Sequence, residues 1–436
     1  MDSLWTDTAK APSFPALERD IRTGVLIIGG GMAGVLCAQL LHRAGVDYVL
    51  AEADTVGGGI TKNTTAKITS QHGLLYAGLA QRFGLEKAGQ YLAANEDALE
   101  RFRVLGRAID CDFEEKSAFV YTVNDRKKLE RELGVLRALG YPATLAERLP
   151  LPFSTAGGVC FPRQAQFHPL KFLYGVSKGL RIYEHTAVRE LIGTDAVTDR
   201  GRIAAKKVIV TTHFPMLNKH GSFYLKLYQH RSYVLALENA PDVGGMYVDD
   251  EMRGMSFRNA GNLLLIGGGD HRTGKKGGGW QELSDFAKLH YPGAAEKYRW
   301  ATQDCMSLDG VPYIGRYSAR TENLYVASGF NKWGMTSSMA AAALLCDLVR
   351  ERENPYEALF SPSRSILRPQ LAVNAAGAVA NLLTPSAPRC PHLGCALKWN
   401  AAERSWDCPC HGSRFAEDGT LLDNPAAGDL KRRKER

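Results

Sequence analysis

An α/β fold with a separate all-β module near its C-terminal end is predicted by three observations. Residues 24–52 alternate strand, glycine turn, helix and strand; residues 354–388 shift to a proline-marked, Ala-rich composition; and four of the nine cysteines crowd between Cys390 and Cys410. At 436 residues the chain has room for two or three domains. Hydrophobic residues make up 45% and charged residues 23%, which excludes a disordered chain. The longest apolar runs, Met339–Leu345 and Ala375–Leu383, fall far short of a membrane span, so none is expected. The N-terminal residues lack the basic and apolar regions of a secretory signal, and a cytoplasmic location is expected. Net charge is +8, and residues 431–436, KRRKER, read as a solvated basic tail. No basic stripe interleaved with aromatics occurs, so no nucleic-acid partner is expected.

In the first unit Val25–Ile28 is a short β-branched run, Met32–Leu41 has helical spacing, and Tyr48–Leu50 returns to strand. Between the first strand and the helix lies Gly29-x-Gly31-x-x-Gly34. Its first glycine permits the turn, its second lets backbone approach a pyrophosphate, and its third lets helix pack on strand. Met32 and Ala33 open the helix, whose free amides and dipole favour phosphate. Glu52 ends the second strand, where its carboxylate can accept from a ribose diol. The motif alone does not separate FAD from NAD. Further on, helices are expected over Leu74–Leu105, Arg126–Leu139 and His168–Gly179, and strands over Arg181–Tyr183 and Val208–Thr212. Ser232–Gly269 is strand-rich, and a helix over Met335–Arg350 is entered through Gly329 and Gly334.

A second glycine turn, Gly57-Gly58-Gly59-Ile60-Thr61-Lys62-Asn63-Thr64-Thr65-Ala66-Lys67, follows the second strand. It resembles the flavoproteins of the D-amino-acid oxidase superfamily, in the glycine and sarcosine oxidase branch. Glu184–Val188, Val208–Pro215, Asp309–Gly315 and Tyr325–Met335 extend the resemblance over about residues 22–360. The resemblance implies FAD, held by the residues above with Gly58, Gly59, Thr61, Lys62, Thr65, Val188, Gly329, Trp333, Gly334 and Met335. It implies a Rossmann-like FAD-binding domain over 1–80, 150–220 and 300–360, interleaved with an antiparallel-sheet substrate domain over 81–149 and 221–299. A positive helix end near Met335 would stabilise an anionic reduced flavin.

Three departures from that pattern matter. Where amino-acid oxidases place a carboxylate-binding arginine, this chain has Gln303-Asp304, which suits a cationic amine better. The strand Leu263–His271 lacks the lysine with which sarcosine oxidases activate oxygen, so reaction with O2 is expected to be slow. Cys305 lies where some sarcosine oxidases attach FAD covalently, although a buried unmodified thiol is the commoner state. His72, His168 and His213 are the candidate catalytic groups, with His271 a fourth histidine in a similar setting.

Beyond a linker over 361–379, marked by prolines at 362 and 369 and carrying a short helix, the module spans 380–430. Cys390-x-His392 and Cys408-x-x-His411 each offer one thiolate and one imidazole, a set suited to a [2Fe–2S] cluster or to zinc. The flanking residues, Cys390-Pro391-His392-Leu393-Gly394-Cys395 and Cys408-Pro409-Cys410-His411-Gly412-Ser413, resemble the cluster loops of Rieske proteins of the respiratory cytochrome type. That resemblance implies cluster ligands Cys390, His392, Cys408 and His411, a Cys395–Cys410 disulfide, and a Ser413 hydrogen bond that raises the potential. Phe415 replaces a tyrosine of the respiratory proteins, which lowers the expected potential.

A hydride-accepting flavin joined to a one-electron cluster forms a two-to-one electron converter. The expected function is an amine-oxidising dehydrogenase, with a small amine-type substrate and a one-electron acceptor protein or a quinone as partners. An NAD(P)H-linked reductase would need a second nucleotide fingerprint, and Gly267–Gly269 leads into Asp-His-Arg rather than a helix. A Rieske oxygenase would need an iron site after the module, where no further histidine occurs. A redox-sensing or partner-binding protein is the non-enzymatic alternative.

Overall fold

The computed structural model describes residues 3–217, 220–385 and 388–430; the basic tail lies outside them. Three sheets organise the chain. In the first, strand Ile21–Ile28 pairs in parallel with Tyr48–Ala51 on one side and Arg202–Val210 on the other, and Leu324–Ser328 continues the parallel set. These strands are buried on both faces, as their near-continuous aliphatic sequences require. Helices Met32–Arg43 and Gly334–Val349 pack together on this sheet.

The second sheet has nine strands and is mostly antiparallel. Leu227–Glu238 pairs with Leu263–Arg272 and Ala295–Ser307, and the sheet continues through Ser256–Ala260, Met246–Asp249, Glu114–Tyr121 and Gly158–Gln166 to Lys67–Ile68. This departs from the expected boundaries. Lys67–Ile68, Gly158–Gln166 and most of Ala295–Ser307 fall in ranges read as FAD-binding domain, yet they pair in the second sheet. Conversely helix Leu85–Ala108, expected in the substrate domain, packs on Gly334–Val349. The chain crosses between the two sheets more often than composition reveals.

The module is a four-stranded antiparallel sheet of Lys398–Asn400, Ser405–Asp407, Arg414–Ala416 and Leu421–Asp423. Its buried apolar cluster is small and is mainly cysteine: Cys390, Cys395, Cys408 and Cys410 with Leu397, Phe415 and Ala426. The helix before it, Pro369–Leu383, runs past the expected end of the linker. Among the described residues no helix is long and apolar enough to cross a membrane.

Arg364 fastens the start of the linker to the first unit. Its guanidinium meets Asp309 at 2.8 Å through both Nε and Nη2, donates to the Pro312 carbonyl, and lies 3.9 Å over the Tyr313 ring. Burial raises the Asp309 carboxyl, but Arg364 outweighs burial and holds it below the ordinary range. Its contribution to stability is therefore present above the unfolded carboxylate pKa and is lost as pH falls through the depressed folded value. Arg364→Met leaves Asp309 buried without its partner. We expect a loss of about 3 kcal/mol at neutral pH, shrinking in acid, read from denaturant titrations.

Candidate functional site

Between the first and second sheets lies a cleft of about 880 Å³. Its floor is the first glycine turn. Gly29 has φ +108°, and a Cβ there would sit 2.9 Å from the Thr211 carbonyl oxygen; a Cβ on Gly34 would run into the Gly29 carbonyl. Gly31 caps helix Met32–Arg43, so the amides of the first turn open onto the cleft. The Met32 amide donates to Thr61 Oγ1 at 3.1 Å, tying the two glycine turns together. Glu52 accepts from the Gly30 amide at 2.5 Å and the Asp54 amide at 2.8 Å, which leaves lone pairs for a diol.

Ala33, Gly58, Gly59, Thr65, Val188, Gly329, Trp333, Gly334 and Met335 also line the cleft. Lys62 does not; its carbonyl accepts from Ser3 Oγ at 2.5 Å on the outer side of the turn. The cleft therefore offers what a dinucleotide needs: room for backbone approach, free amides, and an acceptor beyond the second strand.

The histidines divide. His168 does not line the cleft. It caps helix Pro169–Ser177 by accepting from the Lys171 amide at 3.2 Å, and its other nitrogen meets Thr8 Oγ1 at 2.9 Å. This is a structural residue. His72 borders the cleft, but both nitrogens are engaged, by Tyr91 Oη at 2.7 Å and by the Thr69 carbonyl and Thr336 Oγ1 at 2.9 Å. Its ring stacks on Trp333, and burial lowers its pKa to about 3, so it positions Trp333 as a neutral ring. His213 lines the cleft at φ +63° and meets Gln229 Oε1 at 3.2 Å. His271 is held by Tyr233 Oη at 2.9 Å outside the lining. The Cys305 thiol meets Ser328 Oγ at 3.6 Å, and burial pushes it up to about 12, a state without nucleophile activation.

The charged lining was only partly legible. Asp304 borders the cleft with its carboxyl pushed up to about 6 by burial, Lys332 and Asp270 acting as smaller influences of opposite sign. Lys332 pairs with Asp270, while Asp249, Asp250 and Glu251 line the cleft as well. Lys67 reaches in from the second glycine turn, 3.4 Å from Ser256 Oγ, and burial lowers it to about 7. Ser256 pairs with Gly267, so a lysine does stand beside the strand that carries none. Arg189, next to Val188, is the one arginine of the lining among the described residues.

In the module the Cys390 and Cys408 thiols are in contact, and each is buried. The His392 and His411 rings lie 5.0 Å apart. Burial lowers His392 to about 4 and His411 to about 3, keeping both imidazoles neutral. His411 Nε2 lies 3.1 Å from the Tyr224 carbonyl, which can only accept, so Nε2 carries the proton. Its Nδ1 is buried with no hydrogen-bond partner among the described residues, as a ligand nitrogen should be. Two thiols and two neutral imidazoles in one pocket fit a [2Fe–2S] cluster. Ser413 hydrogen-bonds Cys390, and the Cys395–Cys410 disulfide ties the two loops beside Cys408.

The module docks against the cleft. Gln229 Nε2 donates to the His411 carbonyl at 2.9 Å, so cleft-lining His213 is two hydrogen bonds from a cluster loop. The Phe214 ring lies 6.2 Å from the His411 ring and 6.3 Å from that of His392. Asn424 donates to the Thr212 and Phe214 carbonyls, and Leu421–Ala427 form part of the cleft wall. Gln303, where amino-acid oxidases place a carboxylate-binding arginine, donates instead to the Gly412 carbonyl at 2.9 Å.

Residues 24–348 match the family model described as FAD dependent oxidoreductase, the DAO family. The chain belongs to that family. Residues 381–433 match the Rieske [2Fe-2S] domain, which removes the zinc alternative; the cofactors of this flavoprotein are FAD and a [2Fe–2S] cluster. It is 35% identical over 493 aligned positions to YhfW of Bacillus subtilis, by its name a Rieske 2Fe-2S iron-sulfur protein, covering 99% of this chain and 97% of that one. Gamma-glutamylputrescine oxidoreductase of Escherichia coli is 24% identical, covering 84% of this chain and 94% of that one. In fold, glycine oxidase from Geobacillus kaustophilus superposes with a TM-score of 0.66 at 21% identity, covering 79% of this chain and 99% of that one. The oxidoreductase fold and the Rieske module are thus both established for this chain.

Gly34→Val tests the pyrophosphate turn. We expect the purified protein to lose its flavin absorbance while the cluster spectrum persists, because the turn contributes none of the Cys and His residues of the cluster loops.

Proposed function

We propose that the flavoprotein is an amine dehydrogenase of the cytoplasm. It oxidises the C–N bond of a small cationic amine and sends the electrons from FAD through the cluster to an external acceptor. Bound FAD supplies hydride acceptance and the cluster one-electron storage; the chain's own residues do the rest. The observation that carries this reading is the docked module, whose cluster loops sit on His213, Phe214 and Gln229 at the edge of the flavin cleft. The lysine argument from strand Leu263–His271 carries less weight, since Lys67 enters the cleft from another side.

The substrate class follows from the lining. Its arginine, Arg189, lies at the Val188 end, and Gln303 is committed to the module, leaving no guanidinium for an α-carboxylate among the described lining residues. Asp249 and Asp304 favour a cation, whereas Asp250 and Glu251 already pair with Lys128. An ammonium must lose a proton before its C–H bond can be oxidised, and Asp304, with raised proton affinity at the cleft, is placed to hold it.

Anaerobic mixing with a panel of amines, following flavin bleaching and the reduced-cluster EPR signal in one sample, tests the function. Bleaching followed by the cluster signal is the expected result. Reduction by NAD(P)H with no response to any amine would overturn it. Glu403→Gln, which weakens the module's docking without removing a residue of the cleft lining, is expected to slow cluster reduction roughly tenfold relative to bleaching in the same sample.

Asp304 accepts a proton only when ionised, so kcat/KM should rise with pH through about 6. Asp304→Asn should flatten that limb, and a profile unchanged by the substitution would remove Asp304 from the reaction.

A further inference from the structure

Helix Pro369–Leu383 is turned inside out. Its 15 residues include no charged side chain, and the two it buries are Asn374 and Asn381. Its aliphatic residues face outward: Val373 is 57% exposed, Val379 55%, Leu382 45% and Leu383 78%, with Leu367 at 81% just before it. Polar contacts fix this orientation. Asn374 Oδ1 accepts from Arg272 Nη1 at 2.9 Å, and the Asn381 carbonyl accepts from the Ala396 amide at 3.3 Å. The helix cannot roll its aliphatic side inward without breaking them. An aliphatic surface of this kind marks a contact with something apolar.

This surface continues to the cluster. Leu382 packs near Gly394, two residues beyond His392, and Leu393 is 42% exposed. His392 lies on the loop that adjoins the helix. The loop of His392 therefore shares an edge with the aliphatic face.

The chemistry of the surroundings selects the occupant. From 358 to 402 there is no acidic residue, while Arg368, Arg389 and Lys398 are basic and Arg364 is already paired with Asp309. A uniformly basic stretch repels a second copy of itself. A protein partner's contact surface would be enriched in aromatics, Met and Arg, whereas the outward positions of this helix are Leu, Val and Ala. Aliphatic side chains flanked by basic ones suit the interface of an anionic bilayer.

We propose that this helix lies in the interface of an anionic lipid bilayer and seats the His392 edge against the membrane. Resting on the function proposed above, this selects a lipid-dissolved quinone as the acceptor rather than a soluble protein. The electrons balance: conversion of an amine to an imine releases two electrons and two protons, and a quinone takes up two of each to become a quinol.

Flotation of the full-length holoprotein with vesicles of phosphatidylcholine, with and without phosphatidylglycerol, provides the test. We expect it to float with the phosphatidylglycerol-containing vesicles, less so in high salt. The double variant Val373→Glu/Val379→Glu should bind roughly tenfold more weakly, with flavin and cluster spectra unchanged. Three results overturn the proposal: no flotation with anionic vesicles, equal flotation of the double variant, or a stable dimer in the ultracentrifuge that the double variant abolishes. The same preparations, mixed anaerobically with amine, keep the two ideas separate. Flotation without amine-driven cluster reduction sinks the electron-transfer reading and leaves the docking intact; cluster reduction without flotation does the reverse.

Discussion

The buried charge network between the module and the second sheet is the constraint on which the rest depends. Arg231, on strand Leu227–Glu238, meets Glu403 of the module through Nε at 3.0 Å. Arg414 joins the same Glu403 at 2.7 Å and binds Asp407 and Asp423 at 3.0 Å each. Charges this deeply buried gain little net stability over apolar side chains, but a misplaced partner leaves one of them unpaired at a cost of several kcal/mol. The network therefore acts as a register pin. Only one seating of the module satisfies it, and that seating puts the cluster loops against Phe214. The module needs such help because its own core is thin, with four cysteines among its buried cluster.

The cleft concentrates backbone strain. His213, Asn331 and Lys332 all take positive φ without being glycine, and all three line it. Each would relax elsewhere at a gain of order 1 kcal/mol or more. Their neighbours hold them there: Asn331 bonds the Ser307 amide and the Gly329 carbonyl, and Lys332 is paired with Asp270. Pinning Asn331 and Lys332 in this way keeps the polar lining fixed before any substrate enters.

What could be read from the sequence was what lies close together along it. The glycine fingerprint and the two Cys–His loops are local, and their chemistry is written in a few adjacent residues. The Arg231–Glu403 contact joins residues 172 positions apart, and no local pattern announces it. The histidines misled for a related reason. His168 was legible as the start of a helix, but its contact with Thr8, 160 positions away, which occupies the second ring nitrogen, was not. Strand Gly158–Gln166 went unnoticed because Pro162 breaks its alternation. The linker helix was visible as an Ala-rich run, but which of its faces was buried depends on Arg272, 102 positions from its partner Asn374. A signal for Asp304 did exist: Gln303-Asp304 stands where the arginine is missing, although no local pattern shows that Gln303 turns to the module and Asp304 to the cleft.

Because Leu421–Ala427 form part of the cleft wall, the flavin site is complete only once the end of the chain has folded onto it. The glycine turns at the floor of the cleft are synthesised long before that wall. The coenzyme can therefore enter an open half-site during synthesis and become enclosed when the module seats. Its residence time in the finished protein is then governed by how often the module lifts, so iron supply to the cluster loops and retention of FAD become linked properties of one assembly step.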